Sequence, residues 1–235
     1  MSFNIQIASE NALIVYSQSY SLLQNNQAIT ALSEALLAQQ INEILELIPA
    51  YQSLLVVFDL TQTDHYQMQQ RIKLCGQIAS QGNHKLTNDE NKVIALPVCY
   101  ELPQDNDLAR IAMHNEISVN DVITLHCDVT YRVFSLGFAP GFAFMGETDP
   151  KIATPRLDSP RKVVPKGAVA IADRQTAIYP NESPGGWNIL GLCPISLFDP
   201  NKQPACLFTV GDLVKFSPID SQQYHSLLRE NEGTM

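Results

Sequence analysis

Several features that mark common protein classes are missing from this chain of 235 residues. Lysine and arginine total only 15 against 24 acidic residues, and the formal net charge of −9 disfavours nucleic-acid binding, which requires a basic surface. No apolar run is long enough to cross a bilayer, so no membrane association is expected. The first residues have neither a cationic start nor a small-residue cleavage site. We therefore expect a cytoplasmic protein without a signal peptide.

Cysteine is also sparse, and its pattern excludes further classes. The five cysteines are scattered and form no C-x-x-C pair, which is typical of reduced thiols in the core of a cytoplasmic protein. No metal site is expected. The sequence also lacks a phosphate-binding loop, a G-x-S-x-G nucleophile elbow and an H-E-x-x-H zinc motif. The chain therefore shows no complete active site of these kinds.

What the sequence does contain is apolar material for a substantial core, since 45% of its residues are hydrophobic and 17% are charged. In residues 1–84, short strand-like runs and two segments with helical periodicity follow one another in the order β-β-α-β-β-α. We predict an N-terminal α/β sandwich of the ferredoxin-like type, with both helices on one face of a small sheet. The polar stretch 81–92 lacks apolar periodicity and is the predicted linker.

Residues 93–228 predict a second domain of a different type. Two helices are expected at 107–114 and 119–126, and the second opens at Ser118 with the pattern of a capping box. The remainder consists mainly of short strands separated by turns, which favours a closed antiparallel β-barrel. The whole chain is therefore predicted to belong to the α+β class.

Glycine and proline concentrate between Tyr131 and Trp187, the only tryptophan in the chain. Cationic residues follow three prolines of this stretch, at Arg156, Arg161 and Lys166. Because the chain is acidic overall, cations held at rigid turns favour a local anion-binding surface. The alternative is ordinary turn chemistry with solvated side chains, and the spacing alone leaves both interpretations open.

The same region contains an ordered series of motifs between Leu136 and Phe216. They read L-G-F-x-P-G-F, T-P-R, P-R-x-x-V-P-x-G, Q-T, Y-P, S-P-G-G-W, L-F-D-P and G-D-L-V-K-F. In this order they resemble the family of 5-oxoprolinase B subunits, which includes the sporulation histidine-kinase inhibitor, allophanate hydrolase subunit 1 and carboxyltransferase subdomains C and D. The N-terminal third of the chain resembles the family only in its pattern of elements.

The chain departs from the family pattern at two places. Where the family has a glycine-rich loop, Y-G-G-x-x-G-P-D-L, this chain has the glycine-free segment from Tyr100 to Leu108. Alanine and aspartate at Ala172 and Asp173 replace a common glycine pair, and Ala177 replaces another glycine. Because glycine allows a backbone to approach a ligand closely, the first loop of this chain lacks the residues that would permit such an approach.

The resemblance implies a fold and an activity. It implies that the second domain is a cyclophilin-like β-barrel, and a shared fold does not carry isomerase activity with it. It also implies the B subunit of a multi-subunit enzyme that opens 5-oxo-L-proline to L-glutamate with consumption of ATP. The implied partners are the A subunit of that enzyme and its larger, homologous C subunit. Because no complete active site is recognisable, we expect this chain to be inactive alone.

Other members of the family leave two alternative functions open. One is a non-enzymatic inhibitor of a sensor histidine kinase. The other is a component of allophanate hydrolase or urea carboxylase, in which a biotin carrier would take part. The identity of the partner proteins would separate the three functions.

The resemblance also nominates site residues. His126 matches a family position and is the candidate catalytic residue, while the alternative is a histidine satisfied at a helix C-terminus. The predicted substrate or anion site combines cations, polar side chains, a close-approaching glycine pair and a stacking ring: Arg156, Arg161, Lys166, Gln175, Tyr179, Gly185, Gly186 and Trp187. For the polar and aromatic members, the alternatives are capping of strand ends and core packing.

Overall fold

The computed structural model describes residues 3–19, 21–81 and 93–232. The chain divides into two compact units, 1–91 and 92–235. The predicted linker, apart from its first residue, lies outside the described residues, and the domain limits given above stay predictions. Within the described ranges, no helix combines the length and the apolar character that crossing a membrane requires.

The N-terminal unit is a four-stranded sheet with two helices. Its elements are β1 (Phe3–Ser9), β2 (Ala12–Ser17), α1 (Leu22–Ala38), β3 (Ile44–Ala50), β4 (Ser53–Phe58) and α2 (His65–Gln81). The strands pair antiparallel in the order β1-β2-β4-β3. The succession β-β-α-β-β-α is as predicted. The ferredoxin-like assignment is not confirmed, because that fold runs β-α-β-β-α-β.

Alternation along the central strands gives this sheet one face that packs against the helices. Leu13 and Val15 of β2 and Leu54 and Val56 of β4 are fully buried, in one cluster with the apolar residues of both helices. Ile14, which lies between two of them, is only partly buried. Since side chains alternate between the faces of a strand, every second residue enters the core.

The C-terminal unit contains most of the motif residues. Its elements are β5 (Val93–Val98), α3 (Leu108–His114), α4 (Val119–Asp128), β6 (Thr130–Leu136), β7 (Ala143–Gly146), β8 (Arg161–Val164), β9 (Ala168–Ala172), β10 (Gln175–Ile178), β11 (Ser183–Gly185), β12 (Asn188–Leu192), β13 (Leu213–Pro218) and α5 (Ser221–Glu232). The capping box at the start of α4 is confirmed. Asp121 N donates to Ser118 Oγ at 3.1 Å, and Ser118 N donates to Asp121 Oδ2 at 3.0 Å.

Seven of these strands form a nearly closed barrel in the order β12-β9-β10-β7-β6-β13-β5. Two backbone hydrogen bonds just beyond β5 join the last strand to the first: Cys99 N donates to Leu192 O at 2.9 Å, and Leu192 N donates to Cys99 O at 3.0 Å. The predicted barrel is therefore present in nearly closed form. It is not wholly antiparallel, because β5 and β13 pair in parallel.

A second apolar cluster lies on the other face of β9. Val169 and Ile171 belong to the main core of the barrel, whereas Ala168, Ala170 and Ala172 belong to a separate cluster that includes the aromatic motif residues. All five residues are buried, so β9 lacks the polar face that a half-exposed strand has. The separate two-stranded ribbon of β8 and β11 contributes Val164 to this second cluster.

Candidate anion-binding site

The histidine predicted to be catalytic lies in the core of the barrel unit. His126, in the last turn of α4, is 0% exposed and stacks on Phe216 with ring centroids 4.6 Å apart. Its Nδ1 lies 2.8 Å from the Tyr100 hydroxyl, and its Nε2 lies 3.1 Å from Thr176 Oγ1. Burial lowers the pKa of His126 from its ordinary value of 6.5 to about 3, so the ring is neutral at neutral pH.

The hydrogen bonds around His126 also fix its tautomer. Thr176 Oγ1 donates to the carbonyl oxygen of Ala170 at 3.2 Å, so it accepts from the Nε2–H of His126. Nδ1 therefore accepts the proton of the Tyr100 hydroxyl, which also lies 3.2 Å from Cys127 Sγ. Both ring nitrogens are thus engaged within the protein. The catalytic role of His126 stays a prediction, and its full burial leaves the ring without access to a ligand at the surface.

Another set of predicted residues meets outside the main core. Phe142, Phe144, Tyr179 and Trp187 form a continuous aromatic group with ring centroids 4.8–6.1 Å apart. The Cζ atom of Arg156 lies 5.6 Å from the centroid of the Trp187 ring. We call Arg156 and these four rings the Trp187 cluster. Arg156 is exposed and Trp187 is buried, so the indole supports a guanidinium that faces solvent.

The Tyr179 hydroxyl lies within this cluster and explains one of the glycines. Burial raises the pKa of the Tyr179 phenol, while the charge of Arg156 and a hydrogen bond from the Trp187 backbone amide oppose that rise. A Cβ atom on Gly185 would collide with the Tyr179 hydroxyl, so this position requires glycine for packing. A Cβ on Gly186 would meet its nearest neighbour, Leu157 O, at an ordinary 3.6 Å.

The backbone of Gly185 and Gly186 makes contacts within the protein. Gly186 O accepts a hydrogen bond from Leu157 N at 2.8 Å, which ties the turn after Arg156 to the pair. Gly185 lies opposite Arg161 in the pairing of β11 with β8. The expectation that the amides of this pair face an anion stays a prediction. The contacts seen are the Gly186 carbonyl bond to Leu157 and the pairing of Gly185 with Arg161.

Arg161 lies beside the Trp187 cluster but is not a free cation. Its Nη2 donates to Asp107 Oδ1 at 2.7 Å, with side chains 24% and 8% exposed, and its Nη1 lies 3.5 Å from Trp187 O. The other carboxylate oxygen of Asp107 accepts from Ile189 N at 2.7 Å, and Asp107 N donates to Ile189 O at 2.7 Å. One buried carboxylate therefore joins the start of α3 to β8 and β12.

The role of Asp107 was missed by sequence reasoning. The sequence places Asp107 only as the first residue of the helix predicted at 107–114, and an acidic residue at a helix start commonly acts as an N-cap. In the structure its side chain makes no capping bond to α3, because both carboxylate oxygens are directed to Arg161 and Ile189. The arginine lies 54 residues further along the chain, and no local sequence pattern reports a pairing over that distance.

Two of the predicted site residues lie elsewhere on the barrel. Lys166 is exposed in the turn after β8, at the end opposite Arg161. Gln175 begins β10, whereas Tyr179 follows its last residue. Four residues of extended strand span about 13 Å, so Gln175 and Tyr179 occupy opposite ends of the strand. The structure does not bring Lys166 or Gln175 into the Trp187 cluster.

A third arginine, Arg110, contacts β12 on the face that points away from the Trp187 cluster. Arg110 donates to the Asn188 side-chain oxygen and to Pro155 O, the second at 3.4 Å. Asn188 is 0% exposed, and its amide also donates to Pro155 O at 3.0 Å. Because Trp187 and Ile189 share one cluster, the Asn188 side chain between them points to the other face. Arg110 therefore braces the turn before Arg156 from the far side of β12.

Phe138 extends the aromatic group into solvent. It is 68% exposed, and its ring packs edge-on against Phe142 with centroids 5.2 Å apart. Its φ of 72° is unusual for a residue with a side chain. The turn is closed by backbone hydrogen bonds from Gly137 N to Phe142 O and from Phe142 N to Ala139 O, at 3.2 and 3.0 Å. The loop therefore presents one apolar ring beside the Trp187 cluster.

The N-terminal unit contains a separate polar groove of about 610 Å³. Carboxamide and hydroxyl groups line it, among them those of Asn4, Gln6, Tyr16, Ser17, Asn25 and Gln52. Its lining residues carry no formal charge, so it offers hydrogen bonds but no counter-charge for an anion. Among the residues that the structure describes, no group of three histidine, cysteine, aspartate or glutamate side chains could hold a metal ion.

Comparison with known proteins relates both units to one family. The model of the carboxyltransferase domain, subdomain C and D, matches residues 3–208. The 5-oxoprolinase B subunit of Bacillus subtilis is 32% identical over 235 residues, which cover 97% of this chain and 98% of that protein.

Solved structures extend the comparison to longer chains. The crystal structure of TTHA0988 superposes with a TM-score of 0.76 at 32% identity, and the match covers 89% of this chain but only 40% of that one. The urea carboxylase of Kluyveromyces lactis gives a TM-score of 0.76 at 20% identity, over 98% of this chain and 23% of the larger protein. This second likeness shows the fold alone.

Proposed function

This chain belongs to the carboxyltransferase subdomain C and D family, and from that membership we propose that it is the B subunit of a multi-subunit, ATP-dependent 5-oxoprolinase. The observation that carries the proposal is the similarity to the Bacillus subtilis 5-oxoprolinase B subunit, which extends over 97% of this chain and 98% of its relative. The complex would open the lactam of 5-oxo-L-proline to give L-glutamate, with the A subunit and the larger C subunit as partners.

The length of a solved relative supports a working unit larger than this chain. This chain spans about two fifths of TTHA0988, since the match covers 40% of it. A longer relative therefore carries the same two units together with further sequence. We infer that the additional part corresponds to a second polypeptide in the present case, and that this chain acts in assembly with it.

The Trp187 cluster supports a role in holding the substrate carboxylate. Arg156 presents its guanidinium to solvent while the buried Trp187 ring lies beneath it. A guanidinium binds a carboxylate through two parallel hydrogen bonds, and an aromatic face beneath it orients the planar group. Arg161 supports the site without binding the carboxylate itself, because its charge is compensated by Asp107. The 5-oxoproline carboxylate would fix the lactam relative to groups supplied by the partner.

Ring opening adds water across the C5–N bond, so that C5 becomes a carboxyl group and the nitrogen becomes a primary amine. In the complex, ATP hydrolysis would supply the driving force by activating the amide oxygen. The residues seen here do not fit a triphosphate, because one of the two arginines near Tyr179 is already paired with a buried carboxylate. The sequence also has no phosphate-binding loop. We place nucleotide binding and the chemical step on the partner proteins.

Reconstitution tests this function directly. The chain is co-expressed with the A and C subunits, and glutamate release and ADP formation are measured with 5-oxoproline as substrate. We expect both products from the complete complex and neither from this chain alone, because the described residues offer a binding surface without a nucleophile–base pair at it.

Omission of each component in turn provides the control. Loss of activity on omitting this chain, with recovery on adding it back, would support the proposal. Glutamate release from this chain alone, or unchanged activity without it, would exclude it.

A further inference from the structure

We propose that Asp107 makes the Trp187 cluster selective for ligands with one negative charge, such as a monocarboxylate, against polyanions such as pyrophosphate and nucleotide phosphates. The inference rests on the proposed function, since it concerns the same site. Asp107 would determine specificity without touching the ligand, as a positioning residue that neutralises and orients Arg161.

The geometry compensates one of the two arginines beside the Trp187 ring. Arg161 donates to Asp107 at 2.7 Å, and the 8% exposure of the Asp107 side chain keeps that carboxylate away from solvent. Arg156 remains exposed over Trp187. Of the exposed neighbours in sequence, Asp158 and Lys162 carry opposite charges. Of the two arginines at the Trp187 cluster, only Arg156 therefore contributes a charge that no carboxylate compensates among the described residues.

The remaining nearby arginine is held on the other face of β12. Arg110 is engaged with Asn188 and Pro155, and Asn188 points away from the Trp187 side of β12. A carboxylate needs one guanidinium fork, which Arg156 supplies. A polyanion needs several cations converging on it, and the net charge of −9 repels it from the chain as a whole.

Trp187 provides a site-specific reporter because the chain contains one tryptophan. The purified full chain is titrated with 5-oxoproline, with sodium pyrophosphate and with the uncharged amide of 5-oxoproline at constant ionic strength, while Trp187 fluorescence is recorded. We expect a saturable response to 5-oxoproline and at least about tenfold weaker binding of pyrophosphate and of the amide. Pyrophosphate carries more charges than the one guanidinium can neutralise, and the amide carries none.

The substitution Asp107→Asn tests the assigned residue. Asparagine retains an oxygen that can accept from Ile189 N but removes the charge that compensates Arg161. We expect pyrophosphate affinity to rise by about tenfold, with little change for 5-oxoproline. The control Glu43→Gln also removes a carboxylate ion-paired to an arginine, Arg71 at 2.7 Å, but in the N-terminal unit, and should leave both affinities unchanged.

The wild-type titration decides the question even if Asp107→Asn does not fold. Equal or tighter binding of pyrophosphate by the wild-type chain would overturn the inference, and so would the absence of any response to 5-oxoproline. An unchanged pyrophosphate affinity in folded Asp107→Asn would overturn the role of Asp107. These outcomes are separate from the proposed function. Charge selectivity can hold for a complex without 5-oxoprolinase activity, and an active complex can contain a chain that lacks the selectivity.

Discussion

Burial of His126 makes the stability of the barrel unit depend on pH in a direction that can be worked out from the structure. The imidazole is 0% exposed, and burial lowers its pKa from 6.5 to about 3. Protons therefore bind to the unfolded chain before they bind to the folded one. The stabilising effect of a neutral ring is fully present above the unfolded pKa of 6.5 and is lost as pH falls from there towards 3.

The size of the loss follows from the separation of the two pKa values. Between about pH 7.5 and about pH 5, this one group should remove about 2 kcal/mol from the free energy of unfolding. Two carboxylates with a lowered pKa, Asp121 and Asp199, illustrate groups that titrate below this window. Hydrogen bonds from Ser118 lower the pKa of Asp121 below 3.8, and a backbone hydrogen bond from Asn201 does the same for Asp199. The stability that these two groups contribute is lost only at more acidic pH.

The assay is urea unfolding at the two pH values, followed by fluorescence of Trp187, which lies in the C-terminal unit and reports its unfolding. His126→Gln removes the titrating group but keeps a donor and an acceptor. This variant should be less stable at both pH values, because it loses the stacking on Phe216. Its free energy of unfolding should nevertheless fall by about 2 kcal/mol less than that of the wild type on acidification. His114→Gln, at an exposed position, is the matched control and should keep the wild-type dependence.

Two results would refute the reasoning about His126. One is an equal loss of stability for the wild type and His126→Gln over this pH range. The other is an NMR titration of the His126 ring in the folded protein with a pKa near 6.5, which would mean that the ring reaches solvent.

Three further predictions concern the site and its supports. Arg156→Ala should weaken 5-oxoproline binding by about ten- to a hundredfold, since a charge-assisted hydrogen bond contributes about 1.5–3 kcal/mol. Arg156→Lys should recover part of the loss, and the control Arg174→Ala should leave the affinity unchanged. A lower melting temperature of Arg156→Ala with unchanged affinity would make Arg156 a structural residue. Gly167→Ala should lower the free energy of unfolding by more than about 2 kcal/mol, because φ is +82° and the new Cβ would collide with Cys193 O. Gly186→Ala is the control, because its new Cβ would make only ordinary contacts. Equal melting temperatures of the two variants would contradict the close packing of Gly167 against Cys193. Ser118→Ala should cost about 1 kcal/mol in urea unfolding through loss of the capping box, and no measurable change would mean that α4 does not depend on its cap.

Much of the fold could be predicted from sequence, because the interactions that specify it are local. Short apolar runs located the strands around Val15 and Val56, and the capping box at Ser118 marks the start of α4. The ordered motifs between Leu136 and Phe216 also pointed to the family that the comparisons show.

The order and direction of strand pairing within each unit could be predicted less well from the sequence. The sequence did not predict the parallel pairing of β5 with β13, and it did not predict a β9 whose alternate residues enter two different clusters. Pairing of distant strands depends on which apolar faces pack together, and the sequence of one strand does not specify which strand pairs with it.

The membership of the candidate site was decided by tertiary structure. Sequence alone determined that Arg156, Arg161 and Lys166 stand beside prolines in a chain with a net charge of −9. Only the folded barrel places Arg156 over Trp187, pairs Arg161 with Asp107 across 54 residues, and leaves Lys166 at the other end of β8. The reason is that charge and turn propensity belong to single residues and their neighbours, whereas compensation of a charge depends on what the packed chain brings within hydrogen-bonding distance.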